Sequence, residues 1–176
     1  MLLTIQKKVI YFKHTEILGI KEGIGMKIST KTRYGLRTLV DLAVHSTGEQ
    51  VPLIHIAKRQ NLSVNYLEQV FALLKKAQIV KSIKGAQGGY VLARPAKDIT
   101  VGDVIRAIEG ELIIVEEEAR KNETSLVYQN MQACLQTEVW DKITESVNQV
   151  IDEITLEDLI KDYQNLAISD ADMYYI

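Results

Sequence analysis

Residues 61–92 read NLSVNYLEQVFALLKKAQIVKSIKGAQGGYVL, and two periodicities meet inside that stretch. Leu67, Val70, Phe71 and Leu74 are spaced 3, 1 and 3, which predicts one apolar helix face. Ser63 stands just before the run and can cap it. Asn65, Gln69, Ala72 and Lys76 fall on the opposite face, with Glu68 and Lys75 on the flank. From Ile79 onward the pattern becomes two short β-branched runs around GAQGG, which predicts a hairpin. Gly85, Gly88 and Gly89 permit the left-handed angles of its turn and a close backbone approach. Lys81 and Lys84 place charge beside that turn.

Working outward, residues 30–46 form a predicted helix, with Leu36, Leu39, Val40 and Ala43 at helical spacing. Thr30 is placed to cap it and Gly48 follows it. Pro52 precedes a short second helix, LIHIAKRQ, with Leu53, Ile56 and Ala57 inward; Asn61-Leu62 then makes a turn. Helix, tight turn and amide-bearing helix make the helix-turn-helix plan, in which the second helix offers its first residues to base edges. Asn and Gln can bond adenine in two places, and Glu can accept from the cytosine amino group. On this plan the basic hairpin is a wing lying on the DNA backbone or minor groove. Lys27, Lys31 and Arg33 at the front of the first helix would add phosphate contacts, which supply affinity without sequence choice.

Residues 100–109, TVGDVIRAIE, predict another helix. Thr100 and Asp103 resemble a capping box, and Gly110 stops it. Residues 111–138 read as an acidic, irregular region. From Val139, Trp140, Ile143, Val147, Val150 and Ile154 recur at 3, 4, 3 and 4, a heptad seam suited to a partner subunit. Thr155–Asp158 marks a further helix start. The fold class expected is mainly α with a small β-hairpin wing: a winged helix-turn-helix domain over 26–110 and a dimerisation helix region over 139–162. A tail occupies 163–176.

The chain has 176 residues and a net charge of −2, which hides an asymmetry. Residues 26–110 carry 13 Lys/Arg against 6 Asp/Glu, and residues 111–176 carry 4 against 15. The basic half suits a polyanion; the acidic half would repel one. One cysteine, Cys134, excludes an intramolecular disulfide framework and fits a reducing, cytoplasmic setting. No apolar run has the length of a membrane span. His14, His45 and His55 are scattered, and GAQGG precedes a strand rather than a helix. Neither a catalytic set nor a phosphate-binding loop results, so no enzyme is expected. Residues 1–25 read as leader translated from an early start, because Lys21-Glu22-Gly23 can be encoded by a purine-rich ribosome-binding site shortly before Met26.

MKISTKTRYGLR, then NLSVNYLEQVFALLKKAQIVKSIKGAQGGYVLARP, then ITVGDVIRAIEG resemble the Rrf-two family of bacterial transcription regulators. The resemblance is dense over residues 26–110 and looser over the helix from Val139. It implies a homodimer, with a winged helix-turn-helix, that reads imperfect inverted repeats. It places Ser63, Asn65, Tyr66, Glu68 and Gln69 at the reading helix and Lys84 at the wing; Tyr34, Lys81, Gly85 and Gln87 complete the set expected at DNA. Lys84 stands where many members carry arginine, so the charge is kept without the guanidinium fork.

Many members hold an iron–sulfur cluster on three cysteines. Cys134 matches the last of these positions by its distance from Trp140, but the preceding ones are Asn122 and Tyr128. No cofactor is therefore expected. The cluster-free cysteine-metabolism repressor of the family is similar in MKISTK, YLEQ and an aromatic-Tyr-Ile ending. By that likeness Tyr174, Tyr175 and Ile176 could plug the active site of cysteine synthase through the free carboxylate. Two alternatives are a thiol sensor using Cys134 and a winged-helix domain that binds only protein.

Overall fold

The computed structural model describes residues 28–46, 48–85, 88–115 and 125–173. Lys27, Gln87, Tyr174, Tyr175, Ile176 and the expected leader lie outside the described residues.

Helix α1 runs Thr30–His45. Its cap is Ser29, whose hydroxyl accepts the Thr32 N–H at 3.2 Å, and not Thr30 as the sequence suggested. Ser29 is extended, with φ −63° and ψ 158°, while Thr30 already belongs to the helix and accepts from the Arg33 guanidinium at 2.9 Å. Helix α2, Leu53–Gln60, ends at Asn61, whose φ of 53° turns the Leu62 N–H back onto the Ala57 carbonyl at 2.9 Å. Asparagine tolerates that left-handed region better than most residues. Helix α3, Val64–Lys76, starts at the Ser63 cap. Leu67, Val70, Phe71 and Leu74 are all fully buried, as their spacing required.

Gln78 turns the chain with φ 56° into strand β1, Val80–Ile83, which pairs antiparallel with β2, Gly89–Leu92. The register sets Val80 opposite Leu92 and Ser82 opposite Tyr90. Val51 adds a bridge on the far side of β2: its N–H and C=O exchange bonds with Tyr90 at 2.9 Å each. The Tyr90 ring meets Phe71 edge-on at 4.9 Å, so α3 holds the wing by its base. Only Gly85 of the three wing glycines has a positive φ, at 138°. Gly88 and Gly89 are needed for a different reason. A Cβ on Gly88 would meet the Ile83 carbonyl oxygen at 2.8 Å, and one on Gly89 would meet the Val51 carbonyl at 2.6 Å.

Helix α4, Val101–Glu109, carries the expected capping box between Thr100 and Asp103 and stops at Gly110, φ 90°. It packs on α1 where Gly35 leaves room for Ile108. The core joins Leu39 and Leu42 of α1, Ile56 of α2, the α3 stripe, Ile79, Val80, Ile99, Val104 and Leu156.

The acidic half departs from the sequence reading in three places. Leu126–Leu135, expected to be irregular, forms helix α5. It buries none of its side chains in the chain's own core, so it shows no amphipathic stripe to read. A π turn over Gln136–Trp140 leads into α6, Asp141–Glu153. Ile154, expected as the last seam residue, is extended at φ −86° and ψ 116°. Its carbonyl accepts the Val101 N–H at 2.9 Å, while the Leu156 N–H donates to Ile99 at 2.8 Å. A reciprocal Thr155–Asp158 cap then starts α7, Leu156–Met173, which runs through much of the expected tail. Bonds from the Thr155 hydroxyl and N–H hold the Asp158 carboxyl below its usual range. α6 is fastened to α4 by the Arg106–Asp152 ion pair and an Arg106–Asn148 bond at 3.4 Å. The bond to Asp152 outweighs burial and holds the Arg106 guanidinium above its ordinary range.

Candidate nucleic-acid interface

Burying one stripe of α3 turns its opposite stripe outward. Asn65, Glu68, Gln69, Ala72 and Lys76 are all exposed. The Ser63 hydroxyl accepts the Tyr66 N–H at 3.2 Å, which leaves its own O–H able to donate. Tyr66 is half-buried against the core and meets the Tyr34 ring edge-on, centroids 5.9 Å apart. These two tyrosines, both expected at DNA, are thus brought to each other. Arg33 is exposed beside Thr30, and Lys31 is half-buried.

The wing stands next to this face. Lys81 lies on the outer side of β1, and Lys84 and Gly85 form the described part of the tip; all are exposed. Lys75 ties the two elements, its ammonium donating to Ser82 Oγ at 2.8 Å. The sequence showed Lys75 only as a flank residue, because its partner is seven positions away across a turn. No carboxylate occurs in residues 69–92, so the end of α3 and the wing form a single-signed positive surface.

The turn before α3 is held from α1. The Asp41 carboxylate, only 3% exposed, accepts from Arg59 Nε at 3.0 Å, Arg59 Nη2 at 2.5 Å and Gln60 Nε2 at 2.6 Å. The hydrogen bond to Asp41, outweighing burial, holds the Arg59 guanidinium above its ordinary range.

A second surface lies on α5 and α6. Leu126 and Val127 are about three-quarters exposed, Val150 is 56% exposed and Ile143 is 41% exposed. Val139, Ile143, Val147 and Val150 line an open groove of about 500 Å³. Trp140 and Val147 are half-buried. Cys134 is exposed on α5. Among the described residues no group of three or more His, Cys, Asp or Glu side chains is placed to hold a metal ion. None of the described helices is long and apolar enough to cross a membrane.

A helix-turn-helix followed at once by a basic two-stranded hairpin is a winged helix-turn-helix, the architecture of regulators that read DNA. The chain belongs to the Rrf2 family, described as iron-dependent transcriptional regulators, whose profile matches residues 28–162. It is a DNA-binding transcriptional regulator and not an enzyme. The chain is 41% identical to the regulator CymR of Bacillus subtilis over 138 residues, 76% of this chain and 89% of that one. The solved structure of that protein, called the global cysteine regulator, superposes with a TM-score of 0.62 and covers 77% of this chain and 96% of its own. IscR of T. potens superposes at 0.64 with 43% identity, covering 86% and 98%.

Proposed function

We propose that the chain works as a homodimeric, sequence-specific repressor on an inverted-repeat operator. In this reading α3 enters the major groove and the wing lies on the backbone or minor groove. The observation that carries it is the exposed row Asn65, Glu68 and Gln69 beside the Lys81, Lys84 and Gly85 wing. Amide and carboxylate groups suit base edges, and the lysines suit phosphates. Lys27, Lys31 and Arg33 add phosphate contacts in the same reading, and Gln87 extends the wing's.

Two substitutions test it by opposite signatures. Gln69→Ala is expected to cost about 1–2 kcal/mol on the preferred duplex and to relax the choice at one base pair. Lys84→Ala is expected to weaken preferred and random duplexes alike. It lowers the slope of log K against log salt by about one unit. Fluorescence anisotropy across a salt series reads both. A wild-type protein that binds all duplexes equally at moderate salt overturns the reading.

The two-fold symmetry of such an operator calls for two copies. The exposed apolar residues of α5 and α6 support a dimer through Trp140, Ile143, Val147 and Val150, with Ile154 at the edge of that surface. Val150→Asp is expected to leave a monomer in sedimentation experiments and to lower operator affinity about a hundredfold, by loss of the second half-site. A dimer unchanged by this substitution would exclude the surface.

No iron–sulfur cluster is part of the proposal. A cluster is held by several thiolates, and the chain's single cysteine, exposed on α5, does not supply that donor set. The likeness to CymR supports a role in cysteine metabolism. Cysteine synthase is the partner proposed for Tyr174–Ile176, which lie outside the described residues. Deleting Ile176 is expected to abolish capture of cysteine synthase by the full chain; undiminished capture would refute the plug.

A further inference from the structure

We propose that Arg37 is a positioning residue for the reading helix, acting through Tyr34 and the Gln60 carbonyl rather than by touching DNA. The inference rests on the DNA-reading function proposed above.

Tyr34, Arg37 and Asp41 are spaced 3 and 4 and so share one face of α1. The Arg37 guanidinium carbon lies 4.9 Å from the centroid of the Tyr34 ring, within reach of a cation–π interaction. Its Nη2 donates to the Gln60 carbonyl at 2.7 Å. Gln60 is the last residue of α2, and the left-handed Asn61 follows it. On the other side of the turn, the Tyr34 ring abuts Tyr66 in the first turn of α3. One guanidinium therefore grips the last carbonyl before the turn and the ring that meets the first turn after it. Asp41 holds the side chains of Arg59 and Gln60 one helical turn further along.

The arrangement makes α1 a splint across the turn. The buried stripe of α3 secures the fold without Arg37, whose own side chain is exposed. What Arg37 adds is the angle at which Asn65 and Gln69 are presented. Recognition of base edges depends on that angle, whereas attraction to phosphates does not.

The competing role is direct phosphate contact, as for the neighbouring Arg33. The full-length protein would be titrated against two duplexes over a salt series. One is selected from a random pool by the wild-type protein; the other is its scrambled equivalent. Arg37→Met is expected to lose about tenfold in affinity for the selected duplex. On the scrambled duplex it should lose less than about twofold, with an unchanged salt slope. Arg37→Lys should recover part of the loss, since an ammonium can still sit over the ring. Equal losses on both duplexes with a slope lower by about one unit would overturn the inference in favour of phosphate contact. No loss on either duplex would overturn it outright. Should Arg37→Met melt early, Arg37→Gln, which has a shorter stem and no charge to set over the Tyr34 ring, carries the same comparison. A wild-type protein that fails to prefer any selected duplex would sink the DNA reading, and this role with it.

Discussion

Gly89→Ala is expected to destabilise the protein by about 4 kcal/mol, the largest effect among the substitutions considered. The added Cβ would lie 2.6 Å from both the carbonyl carbon and oxygen of Val51, and 2.9 Å from Pro52 N. All three are backbone atoms, so relief cannot come from a rotamer change. Overpacking of this kind costs about 1–3 kcal/mol. Moving Val51 away also stretches both of its bonds to Tyr90, each worth about 1 kcal/mol. A chain of this length loses about 2–4 °C per kcal/mol, so thermal unfolding should fall by roughly 10 °C. Gly48→Asn is the control: it has open space and a residue that accepts positive φ. A Gly89→Ala protein melting with the wild type would mean that the Val51 segment yields freely, and the wing would not be anchored as described.

Arg59→Met is expected to cost about 3 kcal/mol, because it strands the Asp41 carboxylate. That group is almost wholly buried and takes three of its four short contacts from Arg59. The Gln60 bond would remain, with the His45 ring 3.7 Å away. The opposite change, Asp41→Leu, is milder, since Arg59 is a third exposed and can turn to water. The double variant Asp41→Leu with Arg59→Met should be more stable than Arg59→Met alone, because no buried charge is then left unpaired. Chemical denaturation of the four proteins completes the cycle. A double variant less stable than either single change would contradict this account. Because Asp41 also holds the end of α2, Arg59→Met should disturb operator choice even where the fold survives.

The core of the reader was legible for reasons that are local. Four apolar residues at 3, 1 and 3 admit one helix face, and Ser63 and Thr100 cap within three residues of themselves. The exposed row on α3 followed by subtraction. The Tyr34–Tyr66 pair was not legible, since the contact joins residues 32 positions apart in sequence. Ile154 fitted a heptad count, yet a backbone bond from Val101 draws its carbonyl out of the helix.

By itself, then, the sequence determined the order of helices, turn and wing, the buried stripes and the sign of the charge at the wing. Those are properties of single segments, set by side-chain period and capping groups. Only the tertiary structure decided why residue 89 must lack a side chain, what Arg37 and Asp41 hold, and why Ile154 leaves the helix. Each of these depends on backbone or charge brought close by a distant part of the chain, and proximity of that kind leaves no period to read.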